Sequence, residues 1–400
     1  METNKSKNTL VTLFFGLIIF LQSIRSFNFY FDVNSFGGHE WYTAEWLIHY
    51  LFGFIRRGMF GTLIINLPFN PDISLIFLTY LLHFLYVIYL LSILLLFIKN
   101  SKNNLTSLLL LSPAFILFHL SNLEAVFRKE LLGLLALSLV ALGYSFKHLN
   151  VFFLFSLFFY TVGLFSAEYN LYFYLPITYI IFKQKDSYFK FKIFLLSFSS
   201  FSYFFFYLRN ISKMNEIPKL ICESLFKYNY YESFCSGAIK FLGYDIKETL
   251  DLTFEYYKTS EYEVYIFYFL LSISPFLFTD FIKKNTLYFY IFLASYIPLF
   301  LISIDWGRII YMLISSITIL FFVEKNKKYN LKSKHQIGIL LLFIFIKMPY
   351  YEASFNGLLN FDNINHIFLS QYFLDDFVYF IENYSKGLHS IFKATINFLI

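Results

Sequence analysis

Long apolar runs, each parted from the next by a few polar residues, recur along the whole chain, and their length sets the first expectation. A spanning helix needs roughly 20 mostly apolar residues, and on that criterion the pattern predicts about eleven spans, within about 10–12. They fall near 8–25, 73–98, 105–121, 131–146, 150–166, 169–182, 192–208, 263–282, 285–303, 309–323 and 336–350. The expected fold class is an all-α integral membrane protein. The first run follows Lys5 and Lys7 and ends at Gln22-Ser23-Ile24-Arg25 without a small-x-small cleavage pattern, so it reads as an uncleaved first helix. Two stretches too polar for simple spans, 26–72 and 209–262, elaborate one membrane domain over 1–350. The remainder, 351–400, has scattered acids and an apolar tail, Ile391–Ile400, too short to cross. It is expected to pack along the outer surface or to lie in the interface as an amphipathic helix.

Polar loops fix the orientation, because short loops rich in Lys or Arg stay in the cytoplasm. With a cytoplasmic N-terminus, Lys99 to Asn104, Lys147-His148, Lys183 to Lys192, Lys283-Lys284 and Glu324 to His335 share the inside. Together with the N-terminal tail they hold 16 of the 26 lysines. The arginines sort the other way. Arg25, Arg56, Arg57, Arg128, Arg209 and Arg308 fall at or beyond the outer ends of spans, and Trp41, Trp46 and Trp306 keep them company. A planar guanidinium grips phosphate or carboxylate at two points. The tryptophans read either as sugar-stacking platforms or as interfacial belt anchors.

Composition agrees with a membrane setting: 58% of 400 residues are hydrophobic and 14% charged, more apolar surface than a water-soluble core hides. The 58 Phe and 34 Tyr, with abundant Lys, Asn and Ile, match an AT-rich genome and point to a bacterial inner membrane rather than to a chemistry. The formal charge of +6 is spread over many loops without a dense basic block, which argues against a nucleic-acid partner. There is no Walker loop, no Gly-x-Gly-x-x-Gly, no His-Glu-x-x-His and no paired-cysteine motif. No cofactor and no metal ligand set is therefore assigned, and a divalent metal stays open. Cys222 and Cys235 both lie in the second elaboration, where a disulfide could persist; whether they are bridged is open at this stage.

Candidate chemistry gathers on the first outer stretch. It contains Asp32, His39-Glu40-Trp41, Trp46 and Arg56-Arg57-Gly58 with Gly61 beyond. Asp32, Glu40 and His39 are the candidates for general base. Adjacent Arg56 and Arg57 suit an extended anion such as pyrophosphate, although snorkelling at a helix end is the other reading. Arg128 and Arg308 are candidates for the same phosphate. Glu168 interrupts an aromatic stretch, and Asp305 stands three residues before Arg308; each reads as a sugar-binding group or as an ion-pair partner. His83, in apolar surroundings, reads as structural.

A first outer loop with acids straight after span one resembles the GT-C class of membrane glycosyltransferases, which use polyprenyl-linked donors. The outer arginines and the roughly fifty-residue loop between the seventh and eighth spans are similar to bacterial O-antigen and capsule repeat-unit polymerases. The motifs that carry this likeness are Asp32, His39-Glu40, Arg56-Arg57-Gly58 and Asp305-Trp306-Gly307-Arg308. The resemblance implies a GT-C-like fold and extracytoplasmic glycosyl transfer from a polyprenyl-linked oligosaccharide. It also implies partners in a chain-length regulator and other polysaccharide assembly proteins. A single-sugar transferase and a lipid-linked glycan flippase are the alternatives. A conventional Asp-x-Asp donor motif is absent.

Overall fold

The computed structural model describes residues 2–100, 108–210, 216–259, 261–277, 279–324, 339, 343, 348–350 and 370–399. Among the described residues the regular elements are all helical. In chain order the α-helices are α1 (Glu2–Ser35), α2 (Ala44–Leu47), α3 (Met59–Ile65), α4 (Pro71–Asn100), α5 (Ile116–Ser121), α6 (Glu130–Phe146), α7 (Leu149–Ser166) and α8 (Tyr174–Gln184). They continue with α9 (Phe189–Asn210), α10 (Ile217–Lys227), α11 (Ile246–Thr259), α12 (Tyr262–Leu277), α13 (Asp280–Lys284), α14 (Thr286–Ile302), α15 (Trp306–Val323) and α16 (Ser370–Leu399).

Five of these, within α1, α4, α7, α9 and α15, are long and apolar enough to cross a membrane, and α6, α12 and α14 are shorter apolar helices. The chain is thus a helical membrane protein. Helix α6 lies at the centre, packed on α4, α7, α8 and α15. Its small residues let neighbours close in: a Cβ on Gly133 would meet the Phe173 ring at 2.1 Å, and one on Gly143 would meet Phe152 at 2.6 Å. Every residue of α15 from Gly307 to Val323 is buried, whereas α9 shows Phe194, Phe198, Phe201 and Phe205 outward, as a helix at the lipid boundary does.

Several predicted spans take other forms. The first helix runs ten residues beyond its expected end, because nothing from Ser26 to Ser35 breaks it until Gly37 and Gly38 adopt φ of 96° and 81°. Asp32 therefore stands on the last turn of α1 and not in a loop. The run 105–121 is no single span: Pro113 removes a backbone donor and disfavours helix at Ser112, and helix resumes only at Ile116. The run 169–182 opens as a 3-10 helix, Glu168–Phe173, before α8, and 263–282 divides at Thr279, whose hydroxyl caps α13. The span at 336–350 and the segment 351–369 lie almost wholly outside the described residues.

The two ends of the bundle differ in kind. At one end Glu324 accepts from Lys183 (2.8 Å) and from the Tyr179 hydroxyl (2.9 Å), and Lys192 pairs with Asp186. At the other end the two elaborations pack together as one layer. Glu40 accepts from the Ser236 hydroxyl, the Glu40 carbonyl accepts from the Ala238 N–H (2.9 Å), and His49 bonds Ser224 (2.6 Å). Gly237 sits where a Cβ would lie 2.3 Å from the Glu40 carbonyl oxygen, which fixes how closely the two elaborations meet.

Cys222 of α10 and Cys235 are joined as a disulfide and brace this layer. Their sequence separation is 13, and a loop near that size is worth about 3 kcal/mol in the chain-entropy view. Cys222→Ser with Cys235→Ser is expected to lower Tm in detergent by several degrees, and a maleimide should label the native chain only after reduction. Labelling without reductant would contradict the bridge.

Candidate functional site

The arginine end of the bundle encloses a cluster of nine charged side chains, drawn from segments far apart in sequence. The loop before α3 contributes Arg56 and Arg57, α2 contributes Glu45, and the turn before α6 contributes Arg128, Lys129 and, at its first residue, Glu130. Glu168 follows α7, and Asp305 and Arg308 open α15.

Arg57 grips Glu168 at two points, Nη2 to Oε1 at 2.6 Å and Nε to Oε2 at 3.1 Å. Arg128 pairs with Glu45 at 2.9 Å, and Arg308 pairs with both Glu130 and Asp305 at 3.2 Å. Aromatic rings join these pairs. Tyr169 lies under Arg57 and Arg308, with guanidinium carbons 5.2 and 4.8 Å from its centroid, and the Tyr350 hydroxyl accepts from Arg308 (3.3 Å). Lys129 donates to the Arg57 carbonyl at 2.8 Å and lies over the Trp46 ring. That contact pins an unusual backbone: Arg57 has φ of 75°, rare for a residue with a Cβ. The turn brings both arginines onto one carboxylate, since Arg56 Nη1 also lies 3.8 Å from Glu168.

Five basic groups face four acids, and Arg56 is the least committed of the five. It is 21% exposed, its Nη2 donates to the Phe241 carbonyl (3.3 Å), and its Nε has no hydrogen-bond partner. Arg57, by contrast, already holds a carboxylate in the two-point geometry a phosphate would take. Glu168 thus occupies the place between the paired arginines that the sequence suggested for an anion.

Electrostatics follow the burial. Burial alone would raise the Glu168 carboxyl, but Arg57 and then Arg56 bring it down to about 2. Burial lowers the Lys129 amine to about 7 against the pull of Glu45, and lowers the His49 imidazole to about 4. Both His49 and Glu168 bind protons more readily in the unfolded chain. Stability is expected to fall as pH drops from 10.5 towards 7, where Lys129 charges, and further through the range 6.5 to 4, where His49 must charge. It falls again from 4.5 towards 2, where Glu168 protonates and releases Arg57. Chemical-denaturation midpoints across pH 3–10 check this, and His49→Gln should reduce the fall between 6.5 and 4 while leaving the step above pH 7 unchanged.

The other candidate residues take separate places. Asp32 accepts from Tyr379 of α16 at 2.5 Å. His39 stacks on Tyr42, with centroids 3.8 Å apart, and its Nδ1 accepts the Trp41 N–H (3.1 Å). Burial holds its pKa low, and in the neutral ring the proton then resides on Nε2, which makes His39 a donor. Glu40 is committed to Ser236 in the outer layer. Trp46 is fully buried, donates to the Phe127 carbonyl (2.9 Å) and has Phe60 at its edge, so its ring is occupied by the protein itself. Trp306 donates to the Phe300 carbonyl (2.9 Å) among Tyr257 and Tyr265. Trp41 is 39% exposed and offers the most open face of the three.

The acid partner Glu45 escaped the sequence reading, as did the bridging role of Tyr169 and Tyr350; Glu130 was legible there as a charge beside Arg128 at a helix end, but not its pairing with Arg308. Glu45 lies between Ala44 and Trp46, both of which end up buried, and that was the available signal. His83 bonds Ser23 (2.8 Å) between Phe27 and Phe380, in keeping with a structural residue. Arg25 lies 3.8 Å from Asp376, and the Arg209 side chain is outside the described set. Among the described residues no three His, Cys, Asp or Glu side chains gather as a metal-ligand group. No family model, curated protein or solved structure matches the chain.

Proposed function

We propose that this protein transfers sugars outside the cytoplasm from polyprenyl-phosphate or polyprenyl-pyrophosphate donors, and that it polymerises O-antigen or capsule repeat units. The observation that carries the reading is Arg56, partly exposed at the edge of the cluster beside the outer layer, with its Nε unpartnered. An anion held there would meet a guanidinium at the membrane surface, where the phosphate of a lipid-linked sugar lies. The lysine-rich opposite loops and the disulfide support a cluster facing a bacterial periplasm or exterior, with the N-terminus inside.

In this scheme the acceptor hydroxyl oxygen attacks the anomeric carbon, and the bond from that carbon to the phosphate oxygen breaks. The phosphate leaves with the electron pair, and Arg56, backed by Arg57, stabilises the developing charge. A carboxylate takes the hydroxyl proton, with Asp32 and Glu40 as the candidates; the His39 tautomer suits donation to the leaving oxygen instead. Trp41 provides a face for the sugar.

Binding tests the proposal directly. Undecaprenyl phosphate added to the purified protein should raise its Tm, with little shift in Arg56→Ala and none with undecaprenol, which lacks the anion. Equal shifts for phosphate and alcohol would defeat the proposal.

A further inference from the structure

Helix α16 has three faces, and each meets a different medium. At 3.6 residues per turn, Asp376, Phe377, Phe380, Asn383, Tyr384 and Gly387 fall on one side. This side packs on α1 and α4: Phe380 and Tyr384 each lie about 5 Å from the Phe27 ring, and the Tyr80 hydroxyl donates to the Tyr384 carbonyl. A Cβ on Gly387 would meet the Tyr80 hydroxyl at 2.6 Å, so this contact is close along its length. A third of a turn away, Leu374, Val378, Ile381, Leu388, Phe392 and Ile396 make an exposed apolar stripe. Another third of a turn on, Asp375, Glu382, Lys386, His389 and Lys393 make an exposed charged stripe.

The contacts with α1 show which way these stripes look. On the apolar flank, Phe377 meets Phe20, fifteen residues in from the end of α1 at Ser35. Phe20 belongs to the exposed apolar surface of α1 that includes Leu13 and Leu17, so the stripe on α16 continues a lipid-facing surface. On the polar flank, Tyr379 donates to Asp32, on the last turn of α1. The apolar side of α16 therefore points along α1 towards the middle of the span, and its charged side points towards the end.

We infer that α16 lies in the plane of the membrane at the arginine-end interface, with its apolar stripe in the acyl region of the lipid and its charged stripe among headgroups and water. A helix with an apolar stripe beside a charged one, seated at the end of a bundle, has this as the placement that satisfies both faces. The occupant of the apolar stripe is lipid; a second copy of the chain is the rival.

Because the two native cysteines are bonded to each other, single added cysteines can be labelled alone. Ile381→Cys, Phe392→Cys, Glu382→Cys and Lys393→Cys, each carrying a nitroxide, would be reconstituted into phosphatidylglycerol–phosphatidylethanolamine vesicles. Spin-relaxation accessibility is then read with oxygen and with a water-soluble nickel chelate. All four positions are exposed, so folding should survive, and size-exclusion elution confirms it. Positions 381 and 392 should favour oxygen, and positions 382 and 393 should favour nickel. Nickel access at all four would make α16 a helix projecting into water, and oxygen preference at all four would make it a span. Dipolar broadening between copies at 381 would put a second chain on the stripe. Each of these three results overturns the inference.

Discussion

Arg128→Met should cost the protein about 3–5 kcal/mol, enough to remove most folded material from the membrane fraction. The reason is the Glu45 carboxylate: side chains 6% and 3% exposed form this pair, and removing the guanidinium strands a buried charge. Tyr350 would also lose the guanidinium 6.0 Å from its ring centroid. Replacing both partners, Arg128→Met with Glu45→Met, should restore much of the loss, because a matched apolar pair leaves nothing unpaired. Fluorescence-detected size exclusion and thermal melting of the single and double variants measure the coupling. If the double variant is as unstable as the sum of the singles, the pair is not coupled as described.

Arg56→Ala should behave in the opposite way, leaving the protein folded and abundant while reducing polymer formation about 10²–10³-fold, the usual scale for losing one positioned donor to a developing anion. Arg56 is the cluster's most exposed cation and has only a 3.8 Å approach to Glu168, so its removal strands little. Arg56→Lys should recover part of the activity through charge without the two-point fork. Wild-type polymer amount and length in Arg56→Ala would remove Arg56 from the phosphate role. Arg57→Ala is a poorer probe, since it strands Glu168 and so confounds folding with function.

The contrast between these two arginines shows what the sequence disclosed and what it withheld. Length of apolar runs located the long helices, and the segregation of Arg from Lys placed Arg56, Arg57, Arg128 and Arg308 at one end of the bundle, where they do converge. Pairing was not legible. Which carboxylate meets which guanidinium depends on α6 and α15 packing together, and on the left-handed turn at Arg57 that aims two adjacent side chains at Glu168. The same limit applied to Asp32: a span expected to end at residue 25 runs to Ser35, and the candidate base became a helix-end group bound to α16. Trp46 looked like its two companions in sequence, and only packing distinguishes its enclosed ring from the open face of Trp41.

Deleting the gene in its host and resolving both surface polysaccharide and its lipid-linked intermediates tests the central claim most directly. Loss of the polymer ladder with single repeat units still delivered to the outer side is the result expected of a repeat-unit polymerase. Truncated units would indicate a single-sugar transferase, and complete units held on the cytoplasmic side would indicate a flippase. An unchanged ladder would contradict a role in assembling these polymers altogether.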